Sequence, residues 1–128
     1  MDIIEIVARV CYSAIFILSG INHFTQLAGT TQYAESKNVP MAKTMVMLTG
    51  VIILLGGLCV LFNYQVQYAA PALIGFLLLT AFKMHNFWTV TDPMAKVGEM
   101  SMFMKNISLA GATYFICCAG EMCAMCKM

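Results

Sequence analysis

Charged side chains are scarce in this sequence. Its 128 residues include seven Lys or Arg and six Asp or Glu, which is 10% of the chain, whereas 61% of the residues are apolar. A soluble domain carries roughly 25% charged residues, so these few charges cannot cover a globular surface. The net charge of +1 also argues against a nucleic-acid-binding protein, which needs a basic patch. The composition favours a membrane protein.

Several motifs of soluble enzymes are missing as well. No glycine lies in a phosphate-binding loop, and no flavin or nicotinamide fingerprint occurs, so the sequence gives no support for a nucleotide site. The cysteines lack the two separated pairs typical of a four-cysteine zinc site. The N-terminus carries Asp2 and Glu5 where a signal peptide carries basic residues, and no small-x-small cleavage motif follows. We therefore expect the first apolar stretch to be retained as a helix.

What the sequence does contain is four apolar stretches, at about residues 3–24, 45–62, 68–82 and 101–118. A membrane-spanning helix needs about 20 residues, and four such helices with their connections account for the length. Pro93, directly after Asp92, is typical of a helix start. The prediction is one all-α domain over residues 1–128, a membrane-embedded four-helix bundle with a Cys/Met-rich tail over residues 119–128.

The distribution of basic residues predicts the orientation of this bundle. Four spans would place both termini on one side of the membrane and the two longer loops on the other. Arg9 and Lys127 belong to the terminal side, whereas the loop side holds five lysines: Lys37, Lys43, Lys83, Lys96 and Lys105. Because Lys and Arg are enriched on the cytoplasmic side, we expect both termini to lie outside.

Polar residues of the first stretch form one part of a candidate site. Glu5, Arg9 and His23 fall on one side of a helix at about 100° per residue, and polar residues within a span face protein or a cavity. Two interpretations of Arg9 stay open. It forms an interfacial ion pair with Glu5 at i, i+4 spacing, or it binds an anionic group such as a quinone oxygen.

The two histidines are expected at the same level of the membrane, at the loop side. His23 and His85 could ligate haem or a metal, or exchange protons with a quinone, and simple solvation is the alternative. Asn86 follows His85 directly. In the fourth stretch Lys105 is interpreted as an anchor that reaches the membrane surface, and Asn106 lies on a face of small and polar residues.

The C-terminal tail has the most unusual local composition. Cys123 and Cys126 form a C-x-x-C pair, which can cycle between dithiol and disulfide. Methionines at three-residue steps add soft sulfur, the preference of Cu(I), at Met122, Met125 and Met128. The alternative is a frayed tail without chemistry.

Taken in order, these pieces resemble the DoxX family of small four-helix membrane proteins. The pieces that match are Arg9, Ser19-Gly20-Ile21-Asn22-His23-Phe24, Gly56-Gly57, Phe82-x-x-His85-Asn86-Phe87-Trp88, Asp92-Pro93, Lys105-Asn106 and Gly111. The resemblance covers about residues 3–119, and the tail cysteines lie outside it. It implies a bacterial inner-membrane protein with a polar site near or between helices, formed by Arg9, His23, His85, Asn86, Lys105 and Asn106.

The resemblance also narrows the function, without supplying a catalytic mechanism. Family members include membrane subunits linked to thiosulfate:quinone oxidoreduction, and others associated with membrane redox complexes. The leading hypothesis is an accessory or quinone-interacting subunit whose partners are the lipid bilayer and another membrane protein. The second is a non-catalytic structural or assembly subunit. A small multidrug exporter is disfavoured, because it needs an unpaired carboxylate deep in its first helix and Glu5 is shallow and near Arg9.

Overall fold

A computed structural model describes residues 2–119 of the chain. Within that range the chain forms helices and no β-strand, which confirms the all-α prediction. The elements are α1 (Ile3–Thr25), α2 (Leu27–Ser36), α3 (Ala42–Leu61), α4 (Val66–Met84), a 3-10 turn (Phe87–Thr89) and α5 (Pro93–Ala119). The predicted count of four helices is wrong, since the described residues form five α-helices.

Three segments are long and apolar enough to cross a membrane: Ile3–Thr25, Ala42–Leu61 and Val66–Thr89. At most 33% of the residues in their most apolar windows are buried, which leaves the broad exposed apolar surface that lipid would cover. α5 is not among them, because Lys105 and Asn106 interrupt its apolar part. The four-span prediction is therefore corrected to three candidate spans among residues 2–119.

Two predicted connections contain helix. α2 lies within the predicted loop over residues 25–44, where Gly29 and several polar residues give no clear helical pattern, and it is held by packing against α3 and α1. α5 begins at Pro93, well before the apolar stretch. Asp92 starts it, since its Oδ2 accepts a hydrogen bond from the Ala95 N–H at 3.3 Å, a side-chain cap of the usual kind.

The chain divides into two compact units, Met1–Ala72 and Leu73–Met128. In the first, α1 and α3 run antiparallel and meet at glycines. A Cβ atom on Gly20 would lie 2.8 Å from the Leu54 Cβ, and one on Gly50 would lie 2.8 Å from the His23 Cβ. Nonbonded carbon atoms do not approach so closely, so these glycines set the spacing of the two helices.

The second unit is organised around aromatic rings where the chain passes from α4 into α5. Phe103 of α5 is the centre of this aromatic cluster. Its ring centroid lies 5.3 Å from that of Phe82, 5.5 Å from that of Phe87 and 5.8 Å from that of Trp88, all edge-to-face. Such pairs stabilise a fold beyond the apolar area that they bury, so the cluster fixes the turn between the helices.

Candidate functional site

The Arg9 guanidinium has two hydrogen-bond partners within the first unit, the Glu5 carboxylate and the Val60 carbonyl. Its Nε and Nη2 each lie 3.1 Å from Glu5 Oε1, and its Nη1 donates to the Val60 carbonyl at 2.8 Å. Val60 lies in the last turn of α3, where carbonyls have no partner within the helix. The Arg9 side chain is only 12% exposed. The guanidinium thus forms the expected ion pair and also ties α1 to the end of α3.

His23 lies near the opposite end of α1. Its Nδ1 is 2.6 Å from the Ser19 carbonyl oxygen, so this ring nitrogen donates to the main chain of its own helix. Fourteen residues separate His23 from Arg9, which is about 21 Å along the helix axis. The structure therefore does not bring these two predicted site residues together.

His85 pairs with an acidic residue of α5. Its Nδ1 lies 2.9 Å from Glu99 Oε2, and the two side chains are 14% and 21% exposed. The His85 N–H is bonded to the Thr80 carbonyl at 3.3 Å, and the His85 carbonyl accepts from the Phe87 N–H at 2.9 Å. The hydrogen bonds of the His85 N–H and carbonyl thus fix the main chain that positions the imidazole beside Glu99.

Glu99 is the residue that sequence reasoning missed. It lies in the segment that was predicted to be a connection, and its contact with His85 depends on where α5 begins. The available signal was Asp92-Pro93: a helix starting there runs through Glu99 and continues into the apolar stretch. Counted at about 100° per residue, Glu99 then shares a face with Phe103 and Asn106.

Towards the C-terminal end of α5, the face that carries Glu99 is the buried side of the helix. The four residues Asn106, Ala110, Thr113 and Cys117 are all buried, as their predicted common face requires. Lys105 lies on a different face and is exposed, with its Nζ 3.5 Å from the Met102 sulfur. It lies about 9 Å further along the axis than Glu99. Of the predicted site residues in α5, only Asn106 therefore shares the face of Glu99.

Asn86 has a structural contact in the turn after α4. Its carbonyl accepts a hydrogen bond from the Thr89 hydroxyl at 2.9 Å, which closes the 3-10 turn. Since this turn carries Phe87 and Trp88, Asn86 helps to place the aromatic rings beside His85.

The cysteines divide into two groups. Cys11 and Cys59 are free, whereas Cys117 and Cys118 are disulfide-bonded. Cys123 and Cys126, the predicted redox pair, lie outside the described residues. Within residues 2–119, no group of three or more His, Cys, Asp or Glu side chains could hold a metal ion.

Comparison with known proteins identifies the family. The DoxX family model matches residues 4–86, more than half of the chain, including His85 and ending before Glu99. The inner membrane protein YqjF of Escherichia coli (strain K12) is 36% identical over 121 residues, which cover 93% of this chain and 85% of that protein. The inner membrane protein YphA of the same organism is 27% identical over 118 residues, 92% of this chain and 84% of that protein. No solved structure matches.

The family match, the relatives and the structure all indicate a membrane protein. The matched region holds the three candidate spans almost completely, and both relatives are inner membrane proteins. The resemblance seen in the sequence is confirmed: the chain is a membrane protein that belongs to the DoxX family.

Proposed function

We propose that this DoxX protein is an accessory subunit of a membrane redox complex that binds a quinone headgroup at the His85–Glu99 pair. The observation that carries the proposal is the 2.9 Å contact between His85 Nδ1 and Glu99 Oε2, beside the aromatic cluster. A histidine held by a carboxylate can donate or accept one proton at its other ring nitrogen.

The residues around the pair fit a quinone ring. Phe82 and Trp88 are more than half exposed, so they offer flat apolar surface to a planar ligand. His85 Nε2 is the ring nitrogen that does not contact Glu99, and the proposal assigns it the hydrogen bond to a ligand oxygen. A bound quinone would supply reversible uptake of electrons and protons. Because the sequence has no flavin or nicotinamide fingerprint, the electrons would come from a partner's cofactor or from the chain's own thiols, and we propose an accessory role.

The proposed function is tested by titrating the purified protein, in lipid nanodiscs, with a short-chain ubiquinone analogue in its oxidised and in its reduced form. We expect His85→Ala to weaken binding of the form that hydrogen-bonds to this ring by about five- to tenfold, since a hydrogen bond to a ligand oxygen is worth about 1–1.5 kcal/mol. His23→Ala is the matched control, because His23 is the other histidine of the chain and is bonded to its own helix. If the wild-type protein binds neither form of the analogue, the redox role is wrong.

A second candidate, a non-catalytic structural or assembly subunit, is favoured by a separate observation. Arg9 is bonded to Glu5 and to the Val60 carbonyl, so this predicted anion ligand is already used within the fold. An assembly subunit would retain its partner after His85→Ala and release it when the packing of α1 on α3 is broken by Gly20→Leu. Affinity purification of both variants from the native membrane separates the two candidates.

We also propose that the C-terminus lies outside the cytoplasmic membrane. The disulfide-bonded Cys117 and Cys118 near the end of α5 support this side, because disulfides persist in the oxidising bacterial periplasm. Since the three candidate spans put the two ends of the chain on opposite sides, the predicted placement of both termini outside is not retained. A C-terminal alkaline phosphatase fusion should be active. An inactive phosphatase together with a fluorescent green fluorescent protein fusion would place the C-terminus inside.

Cys123 and Cys126 are proposed as a redox-active thiol pair on that outer side. The C-x-x-C spacing is the supporting feature. Alkylation of intact cells with a membrane-impermeant maleimide, after mild reduction, should label both cysteines. Labelling that requires opened membranes would contradict the proposal.

A further inference from the structure

The hydrogen on the His85 ring has a defined place. When Glu99 is ionised, its carboxylate only accepts hydrogen bonds, so Nδ1 is the donor in the 2.9 Å contact to Glu99 Oε2. An uncharged imidazole has one N–H, and the nitrogen that carries it is set by the partner of the ring. Uncharged His85 therefore has its hydrogen on Nδ1 and a free lone pair on Nε2.

This arrangement discriminates between the two forms of a quinone. An oxidised quinone presents carbonyl oxygens, which only accept, whereas a quinol presents hydroxyl groups, which donate. The aromatic cluster cannot tell them apart, because both forms have a planar ring of the same size. The contact at Nε2 distinguishes the quinol from the quinone, since a lone pair binds a hydroxyl hydrogen and not a carbonyl oxygen.

We infer that the His85–Glu99 pair binds the reduced carrier, a quinol, in preference to the quinone. This inference rests on the proposed quinone-binding function. The quinol hydroxyl donates to Nε2, and the hydrogen bond from Nδ1 to Glu99 makes Nε2 a stronger acceptor, because linked hydrogen bonds polarise one another. Glu99 is thus a positioning residue: it fixes the acceptor on His85 without touching the ligand. No electron moves and no covalent bond changes in this binding step.

The test compares the dissociation constants of the oxidised and the chemically reduced short-chain ubiquinone analogue, under argon, in nanodiscs. We expect the quinol to bind about tenfold more tightly, the ratio that one net hydrogen bond provides. Glu99→Ala should reduce this ratio to near one. Glu35→Ala, at an exposed glutamate of α2, should leave it unchanged.

Nitrogen-15 spectra of the histidine rings test the tautomer without any ligand, in the wild-type protein. The two histidines are assigned with a His23→Gln sample, and the expected signals are a protonated Nδ1 and an unprotonated Nε2 for His85. A protonated Nε2, or a quinone that binds as tightly as the quinol, overturns the inference but leaves quinone binding in place. Failure of both forms to bind refutes the proposed function itself.

Discussion

The two compact units use their polar residues in different ways. In the first unit Arg9 and His23 both bond to main-chain carbonyls, of Val60 and Ser19 respectively, and Arg9, whose guanidinium keeps its proton, also pairs with Glu5. In the second unit His85 bonds to the side chain of another titratable residue, Glu99. A bond to a carbonyl fixes the fold, whereas a bond between two titratable groups leaves a proton that can be shared or moved. Substitutions in the first unit should therefore change stability, and those at the His85–Glu99 pair should change ligand binding.

The largest effect on stability is expected from Gly20→Leu. The new Cβ would start 2.8 Å from the Leu54 Cβ and 3.0 Å from the Leu54 Cα, and the remaining side-chain atoms would force α1 and α3 apart. Overpacking typically costs about 1–3 kcal/mol, and contact with the main chain puts this variant at the upper end or beyond. Thermal unfolding in detergent measures the loss. Gly29→Leu is the control, because nothing lies within 4 Å of a Cβ on Gly29; equal losses in both would contradict the packing role.

Arg9→Ala is expected to destabilise the first unit by about 2 kcal/mol, the typical value of hydrogen bonds that involve a charged group. Arg9→Lys should recover only part of this, since an ammonium cannot serve Glu5 and Val60 in the planar geometry of a guanidinium. Lys43→Ala, at an exposed residue of α3, should be neutral. If the Arg9→Ala protein has normal stability and weakened quinone binding, Arg9 binds the ligand and does not stabilise the fold.

Ser13→Ala is expected to stabilise the first unit by about 1 kcal/mol. The Ser13 side chain is fully buried, and its hydroxyl has no hydrogen-bond partner among residues 2–119. Burying such a group is unfavourable, and alanine is the better helix former. Ser108→Ala in α5, where the serine is exposed, is the comparison in chemical unfolding. A destabilised Ser13→Ala protein would mean that the hydroxyl binds something outside the described residues.

The smallest effect is expected at the turn before α3. Met41 has a φ of 50°, a left-handed conformation that is unfavourable for a side chain with a Cβ. Met41→Gly should therefore stabilise the protein by about 0.5 kcal/mol. Asn38 has a φ of 60°, but asparagine tolerates this region, so Asn38→Gly should change the unfolding midpoint less. The opposite order would contradict the assignment of strain to Met41.

The parts of the fold that could be predicted are those that depend on local sequence. Continuous apolar runs mark α1, α3 and α4, and Asp92-Pro93 marks the start of α5. α2 could not be predicted, because its helix depends on packing against α3 rather than on an apolar pattern of its own. The four-span count failed for the converse reason: the apolar part of α5 is interrupted by Lys105 and Asn106.

The candidate site was predicted less well, because its contacts join distant positions. The i, i+4 spacing of Glu5 and Arg9 predicts their ion pair, but nothing in the sequence indicates the bond from Arg9 to the Val60 carbonyl, 51 residues away. His85 was identified through its neighbours, whereas Glu99 requires knowing where α5 begins. Side-chain pairs that depend on helix ends are therefore the least accessible to sequence reasoning.

The glycine contacts of the first unit also limit how its helices can move. A slide of α3 along α1 by a single residue would place Thr49 or Val51 where Gly50 now faces His23, and their side chains would collide with it. The two helices can separate, but they cannot slide along each other while these contacts are in place. Sliding of α3 along α1 is therefore not available as a step in a working cycle.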